Sequence, residues 1–580
     1  MENFLLTRKD RINQSKIVSS FDKYFPESEG IFRNIGNHII CLFKKGPRFP
    51  SNFFELNNWF VGTIGTPIYK GLSYNEGLKE ILRDEIKGTF KPDNLLGHFY
   101  IFIGDGTNVK ILTDGSGLLK VYYDSGSQCL CSSFLVMTEV VSGNLTINKD
   151  ALTENLLTGG IIGGETILNE IREFSPRCNF LMEGVRILSP GFQPIEEFRN
   201  IKDAFERQIE TLDGYFLSAK NLADDFDVDS GLTGGLDSRL ILALVRKHFN
   251  SYQVHSHFRS ERHPDLEVAS EISKDLKIPF VSPKVIDWQN KSEIEKQITF
   301  NDSLRFCDGQ ARQHCYWKEE YNTVLYKQNV LKGKGLGLQG IGGEQYRNVE
   351  RMFQRGVNFE RWLYYHHIGM FSGLQNLRNP VCKEVVSRIK QKISKELNFP
   401  IEKERISLLD LKRIYNEILI ASFRGIRTNS ENRFSFSLSP FADYRVSHTA
   451  YSIVPFLDCT YNFEIDLVKH FGPDLAEFKS TYGYSFIHNE PYSKFLVPTV
   501  IQNFVPYRIS MRILEEYKSR NHKSNISEDT KNEGFLKSCI NNIHDLNIPL
   551  NIEMLLSRID TSNMLYSIGF IVGELKHKLK

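Results

Sequence analysis

The stretch Asp227-Val-Asp-Ser-Gly-Leu-Thr-Gly-Gly-Leu-Asp-Ser-Arg-Leu-Ile-Leu-Ala-Leu-Val245 decides the fold. It reads as a short strand running into a turn, Thr233-Gly234-Gly235-Leu236-Asp237-Ser238, and then a buried helix from Arg239 to Lys247. Strand, glycine turn and helix together make a phosphate cradle. Two glycines let backbone N–H groups turn inward, the positive end of the helix faces the same point, and the Thr233 and Ser238 hydroxyls add donors. Asp237 is itself an anion, so its presence makes sense if Mg²⁺ bridges its carboxylate to phosphate oxygens. The plainer alternative is a Gly-Gly turn closing an ordinary βα unit, with Asp237 and Ser238 capping the helix.

The residues downstream favour the first reading. Tyr252-Gln-Val-His-Ser-His-Phe is a strand pattern, Arg259 to Pro264 a polar loop, Asp265 to Ile278 carries apolar residues at helical spacing, and Pro279-Phe-Val-Ser is a second short strand. Such alternation predicts a doubly wound parallel sheet with its ligand at the carboxyl ends of the strands.

Upstream the pattern is different. Gly97-His-Phe-Tyr-Ile-Phe-Ile is apolar on both faces, Gly104-Asp-Gly-Thr-Asn is turn chemistry, Val109-Lys-Ile-Leu-Thr-Asp alternates, and Leu119-Lys-Val-Tyr-Tyr precedes a turn at Asp124. These predict an antiparallel meander. A strand apolar on both faces must be covered on both, so the sheet is expected between two layers, with Glu76 to Ile86 as a covering helix. Ser189-Pro-Gly and the charged, helical stretch from Pro194 to Leu222 mark a boundary. The expected domains are therefore residues 1–192 and 193–580.

Composition bounds the function. With 41% hydrophobic residues and 24% charged over 580 positions the chain has material for well-filled cores, which excludes disorder. Lys plus Arg number 72 against 70 Asp plus Glu, so no overall field attracts a polyanion and nucleic acid is not an expected partner. No apolar run approaches the ~20 residues that span a bilayer, so no membrane partner is expected. The start lacks a signal peptide's basic head and apolar stretch. Nine scattered Cys with no Cys-x-x-Cys suit reduced thiols, so a cytoplasmic location is expected and a Cys-ligated metal is not.

Thr233-Gly-Gly-Leu-Asp-Ser resembles the Ser-Gly-Gly-x-Asp-Ser pyrophosphate loop of the N-type ATP pyrophosphatases, and His263-Pro-Asp-Leu-Glu-Val-Ala the segment that follows it in asparagine synthetases. Gly337-Leu-Gln-Gly-Ile-Gly-Gly-Glu-Gln is similar to the family's Gly-x-Gly-x-Asp-Glu turn, and Ser439-Pro-Phe-Ala-Asp to its Pro-Phe-Leu-Asp segment. The three motifs stand in the family's order across roughly half the chain. The resemblance implies adenylation of a carboxylate by ATP, release of pyrophosphate, and displacement of AMP by ammonia or an amine to form an amide. It implies Thr233, Gly234, Gly235, Ser238, Gly340, Gly342 and Gly343 around the phosphates, and Asp237 and Glu344 as Mg²⁺ ligands, although Glu344 also reads as a solvated loop acid. A late cation is implied as well. Lys479 is the candidate, with a plain surface lysine as its alternative.

The meander resembles the glutaminase domain of the same enzymes, an α-β-β-α sandwich of the N-terminal-nucleophile kind. Asp114-Gly-Ser-Gly-Leu-Leu-Lys-Val-Tyr-Tyr is similar to its Asp-x-x-Gly-x-x-Pro-Leu-Tyr-Tyr. Active members need Cys at position 2, whereas here residue 2 is Glu and the first Cys is Cys41, in an apolar run that reads as core. The expectation is a domain that keeps the fold without glutamine hydrolysis. Ile341 stands where asparagine synthetases carry a Glu associated with the amine half-reaction, which weighs against asparagine as product. The implied acyl substrate is a small-molecule, sugar-acid or peptide carboxylate. Its amine comes from free ammonia, an ammonia-supplying partner or the substrate itself. Arg424 and Arg427 could recognise a carboxylate or phosphate, or be solvated. Two rivals remain: a tRNA-activating enzyme of the same loop class, which would need a basic surface, and a non-catalytic nucleotide-binding relative acting as a partner protein.

Overall fold

The computed structural model describes residues 2–26, 29–46, 49–177, 180–191, 194–256, 263–283, 290–310, 334–349, 356–373, 375–489, 505, 509, 512, 534–556 and 559–580. The polar loop expected after Tyr252 falls largely outside these residues. So do positions 521–533 and all but two of positions 509–520.

Two sheets stack in the first part of the chain. One has six strands in the order Ile171–Glu173, Tyr122–Asp124, Cys129–Cys131, Asn3–Arg8, His38–Phe43 and Gly30–Ile35; the other has five, Val185–Leu188, Val109–Thr113, Leu95–Gly104, Trp59–Tyr69 and Phe53–Leu56. Strand periodicity sorts the side chains. Phe4, Leu6, Ile40 and Leu42 meet Ile64, Tyr100 and Phe102 between the sheets, with the Phe4 and Phe102 ring centroids 4.6 Å apart. The intervening Leu5, Ile39, Cys41 and Phe43 face helices Gln14–Tyr24 and Phe134–Val140. Val61, Ile101 and Ile103 face helix Tyr74–Ile86 on the other side. Both sheets are thus covered on both faces, as the doubly apolar strand requires. The meander itself divides. Leu95–Gly104 and Val109–Thr113 form a hairpin in one sheet, but Tyr122–Asp124 belongs to the other. Gly115 and Gly117, at φ +79° and +69°, turn the chain between them, and Leu119 and Val121 become inter-sheet core instead of strand.

The later sheet is wholly parallel, in the order Phe280–Val281, Gln253–His255, Asp227–Gly231, Gly335–Leu338 and Phe436–Leu438. The chain therefore starts in the middle, runs to one edge and returns to build the other side. The strand order reverses between Asp227–Gly231 and Gly335–Leu338, and a crevice opens at such a switch point. Helices Leu236–His248 and Pro264–Asp275 belong to this unit. The chain as a whole is mixed α/β. No helix among the described residues is long and apolar enough to cross a membrane.

The described C-terminal helices, Gly534–His544 and Ile559–Leu575, pack on each other, and their Ile543, Leu565 and Ile571 join the core beneath Phe134–Val140 and Lys149–Thr158. Leu579 bridges to Leu145, and Lys578 pairs with Glu139 at 2.7 Å. The chain's end thereby completes the layer laid down near its beginning.

Buried polar contacts hold the two sheet systems together. Glu2 Oε2 accepts from Lys45 Nζ at 2.6 Å, Gly65 N at 2.8 Å and Asn432 Nδ2 at 2.9 Å. The Lys45 and Glu2 side chains are 1% and 0% exposed. Arg433 pairs with Asp308 at 3.0 Å, and the Asp308 carboxylate also accepts from Phe134 N and Leu135 N at the start of helix Phe134–Val140. His98 sits between Asp114 Oδ2 at 2.7 Å and Ser439 O at 3.2 Å, while Gly97 N donates to Asp443 Oδ2 at 2.8 Å. Both ring nitrogens of His98 face acceptors, which suits the imidazolium. Burial opposes that charge, but the Asp114 hydrogen bond and the Asp114 and Asp443 charges prevail and raise the pKa above its ordinary 6.5.

Two outcomes follow from this seam. Glu2→Ala strands Lys45 and is expected to cost about 3–5 kcal/mol, read by chemical denaturation. Because the folded pKa of His98 is raised, its stabilisation is complete below pH 6.5 and is lost as pH rises through the folded value. The thermal midpoint should fall over that window in the wild type, and His98→Gln should flatten the fall.

Candidate functional site

A cavity of about 330 Å³ opens at the carboxyl ends of Asp227–Gly231 and Gly335–Leu338, at the point where the strand order reverses. The loop after the first of these strands forms one wall. Thr233 N donates to Ser238 Oγ at 3.0 Å, the Thr233 and Ser238 hydroxyls lie 2.9 Å apart, and Gly234 N donates to Asp265 Oδ1 at 2.8 Å. Helix Leu236–His248 starts after Gly235, which has no side chain to cap it. Its first-turn N–H groups thus have no side-chain cap, with the positive end of the helix dipole behind them.

The loop after the second strand meets the first at close quarters. A Cβ on Gly343 would stand 1.9 Å from Asp237 Oδ1, and one on Gly340 would stand 2.9 Å from Asp237 Cβ. Gly342 has φ +95° and lies against the backbone of Phe441 and Ala442. The glycines are there because Asp237 fills the space their side chains would need. Glu344 is half-buried on the cavity wall, as is Ile341.

The opposite wall comes from a π-helical segment, Tyr415–Arg424, and helix Gly425–Asn432. Tyr415, Arg424, Arg427 and Glu431 line the cavity from there. Arg427 Nε pairs with Glu431 Oε1 at 3.0 Å, and Gln339 Nε2 donates to the same carboxylate. Arg424 reaches the cavity with no ion pair to any described residue.

Of the residues expected from the sequence, Thr233, Asp237, Ser238, Gly340, Gly342 and Glu344 line this one cavity, with Gly234, Gly235 and Gly343 beside them. Lys479 does not join them: its side chain is exposed and off the cavity wall. Its backbone is nonetheless fixed beside the loop. Buried Arg239 donates to Leu475 O at 3.0 Å, Phe478 O at 2.8 Å and Lys479 O at 2.7 Å. Asp443, in the third motif, caps the following helix through Arg445 N at 3.0 Å and binds Gly97 N, a docking role away from the cavity.

Two groups escaped the sequence reading. His255 lines the cavity with Nδ1 2.8 Å from Asp229 Oδ2, and Asp229 is fully buried. An acid in the middle of a strand covered on both faces was the available signal. The other is Arg347, whose Nη2 donates to both oxygens of Asp237 at 2.9 and 2.8 Å. The family resemblance implies Mg²⁺ held by Asp237 and Glu344. An ion bridged through Asp237 would have to displace Arg347 from both of its oxygens, so the residues as they stand do not fit one.

Comparison with protein-family models finds no match along the chain, and comparison with curated proteins finds none either. Gly343→Ala should force Asp237 away from Arg347 and cost about 1–3 kcal/mol, read as a lower denaturation midpoint. Gly191→Ala, where a Cβ would meet nothing within 4 Å, should leave the midpoint unchanged.

Proposed function

We propose that the chain is an ATP-dependent, AMP-forming amide-bond ligase of asparagine synthetase-like architecture. Residues 1–192 would be a glutaminase-like domain without glutaminase chemistry, and residues 193–580 an ATP pyrophosphatase-like domain with helical additions. The observation that carries this reading is the meeting of the Thr233–Ser238 and Gln339–Glu344 loops around one cavity at the switch point of a parallel sheet.

The chemistry follows from the walls. Polyphosphate oxygens are received by the first-turn N–H groups of Leu236–His248 and by the Thr233 and Ser238 hydroxyls. Arg424, on the opposite wall with no ion pair to a described residue, receives the acyl carboxylate and sets it towards the nucleotide. A carboxylate oxygen attacks the α-phosphorus, the bond to pyrophosphate breaks, and the departing charge remains on the loop that already held it. An amine then attacks the acyl carbon, loses a proton, and AMP departs. The amine comes from ammonia, from a supplying partner or from the substrate. Position 2 holds the buried Glu2 carboxylate bound by Lys45, and burial raises the Cys41 thiol well above its ordinary range, so neither offers a hydrolytic thiolate.

The test is carboxylate-dependent ATP–pyrophosphate exchange with aspartate, uronic acids and peptide carboxylates. Exchange is expected for one of these classes and is expected to vanish in Asp237→Ala. Arg424→Met should raise the KM for the carboxylate about 10- to 100-fold while leaving that for ATP nearly unchanged. ATP binding without exchange for any carboxylate would favour a nucleotide-binding partner protein, a reading that Ile341 on the cavity wall supports.

A further inference from the structure

Asp237 does not offer the cavity an uncommitted carboxylate. Gly340 and Gly343 leave it room on one side only by lacking side chains, and Arg347 takes both of its oxygens. Arg347 is itself held on every side. Its Nε lies 3.1 Å from Glu464 Oε2, its Nη1 donates to the Tyr482 hydroxyl at 3.2 Å, and the guanidinium stands 5.5 Å from the Tyr461 ring centroid. Lys412 Nζ binds the Arg347 carbonyl and fixes its backbone. The Arg347 and Glu464 side chains are 7% and 0% exposed.

Glu464 meets Arg347 as an ion contact and also lies against Asp237. Burial raises its carboxyl well above the usual carboxylate range, with the Arg347 charge opposing and the neighbouring Asp237 carboxylate adding to the rise. For Asp237 to coordinate a divalent cation it would have to give up two charge-assisted hydrogen bonds, and the buried guanidinium would be left beside added positive charge.

We propose that Arg347 is the counter-charge of Asp237, so that the Thr233–Ser238 loop accepts a polyphosphate with no divalent cation bridged through Asp237. This rests on reading the cavity as a polyphosphate site. Arg347 is then a positioning residue. It cancels the carboxylate that would repel phosphate and holds Asp237 against Gly343, which keeps the two loops in register. The helix N-terminus and the two hydroxyls do the binding. Cationic side chain and polyphosphate site are matched without a metal, and affinity should depend on the arginine instead of on Mg²⁺.

The experiment is calorimetric titration of the full chain with ATP and, separately, with inorganic pyrophosphate, each in excess EDTA and in excess Mg²⁺. The wild type should bind with affinities within about threefold of one another in the two buffers. Arg347→Met should lose about tenfold or more in EDTA and recover in Mg²⁺, as the freed Asp237 becomes a ligand. The double variant Arg347→Met with Glu464→Gln removes the stranded acid and should show the same acquired Mg²⁺ dependence if the single variant folds poorly. A wild-type affinity that drops about tenfold or more in EDTA would overturn the proposal while leaving the polyphosphate reading intact. Binding of neither probe in either buffer would overturn both.

Discussion

The contact on which the site depends is the seating of Asp237 against Gly340 and Gly343. Strands Asp227–Gly231 and Gly335–Leu338 are hydrogen-bonded neighbours, in register from Asp227 opposite Gly335 to Ser230 opposite Leu338, so their loops must emerge side by side. Two loops so close can coexist only if one of them has no side chains at the contact. With Gly340 and Gly343 bare, the Asp237 carboxylate reaches Arg347, and that pair holds the loops at a fixed spacing. The cavity is the volume left between them and the π-helical wall.

A second set of constraints ties this cavity to the distant start of the chain. Three consecutive residues share the work. Glu431 lies on the cavity wall with Arg427 and Gln339, Asn432 binds Glu2 and Lys45, and Arg433 pairs with Asp308. Buried pairs of this kind contribute little net stability over well-packed apolar residues, because desolvation offsets their attraction. What they give is a unique seating, since any shift of the seam strands a charge. His98 and Asp443 do the same from the other side of the sheet stack.

Much of the local structure was legible. Strand, Gly-Gly turn and helix were read from apolar runs and glycines, Glu76 to Ile86 was expected as a covering helix, and Asp265 to Ile278 was read from helical spacing; backbone stereochemistry and periodicity act over a few residues. The covering of both faces of Leu95–Gly104 followed from its composition. The passage of the chain between two sheets at Gly115 and Gly117 did not, since a turn signal does not say which sheet receives the next strand. Nor did the packing of Ile559–Leu575 beneath the N-terminal helices, a contact between opposite ends of the chain.

By itself the sequence determined where backbone N–H groups gather, which residues must be glycine, and that position 2 bears an acid and no thiol. These are properties of single residues and their near neighbours. Only the tertiary structure decided which charges face one another. Arg347 lies 110 positions beyond Asp237, and the exposed Lys479, not the inward-facing Arg424, had looked like the cation of the site. The physical reason is that burial patterns along a chain report which face turns inward, whereas the partner of a buried charge is chosen by whatever the fold brings within about 3 Å of it.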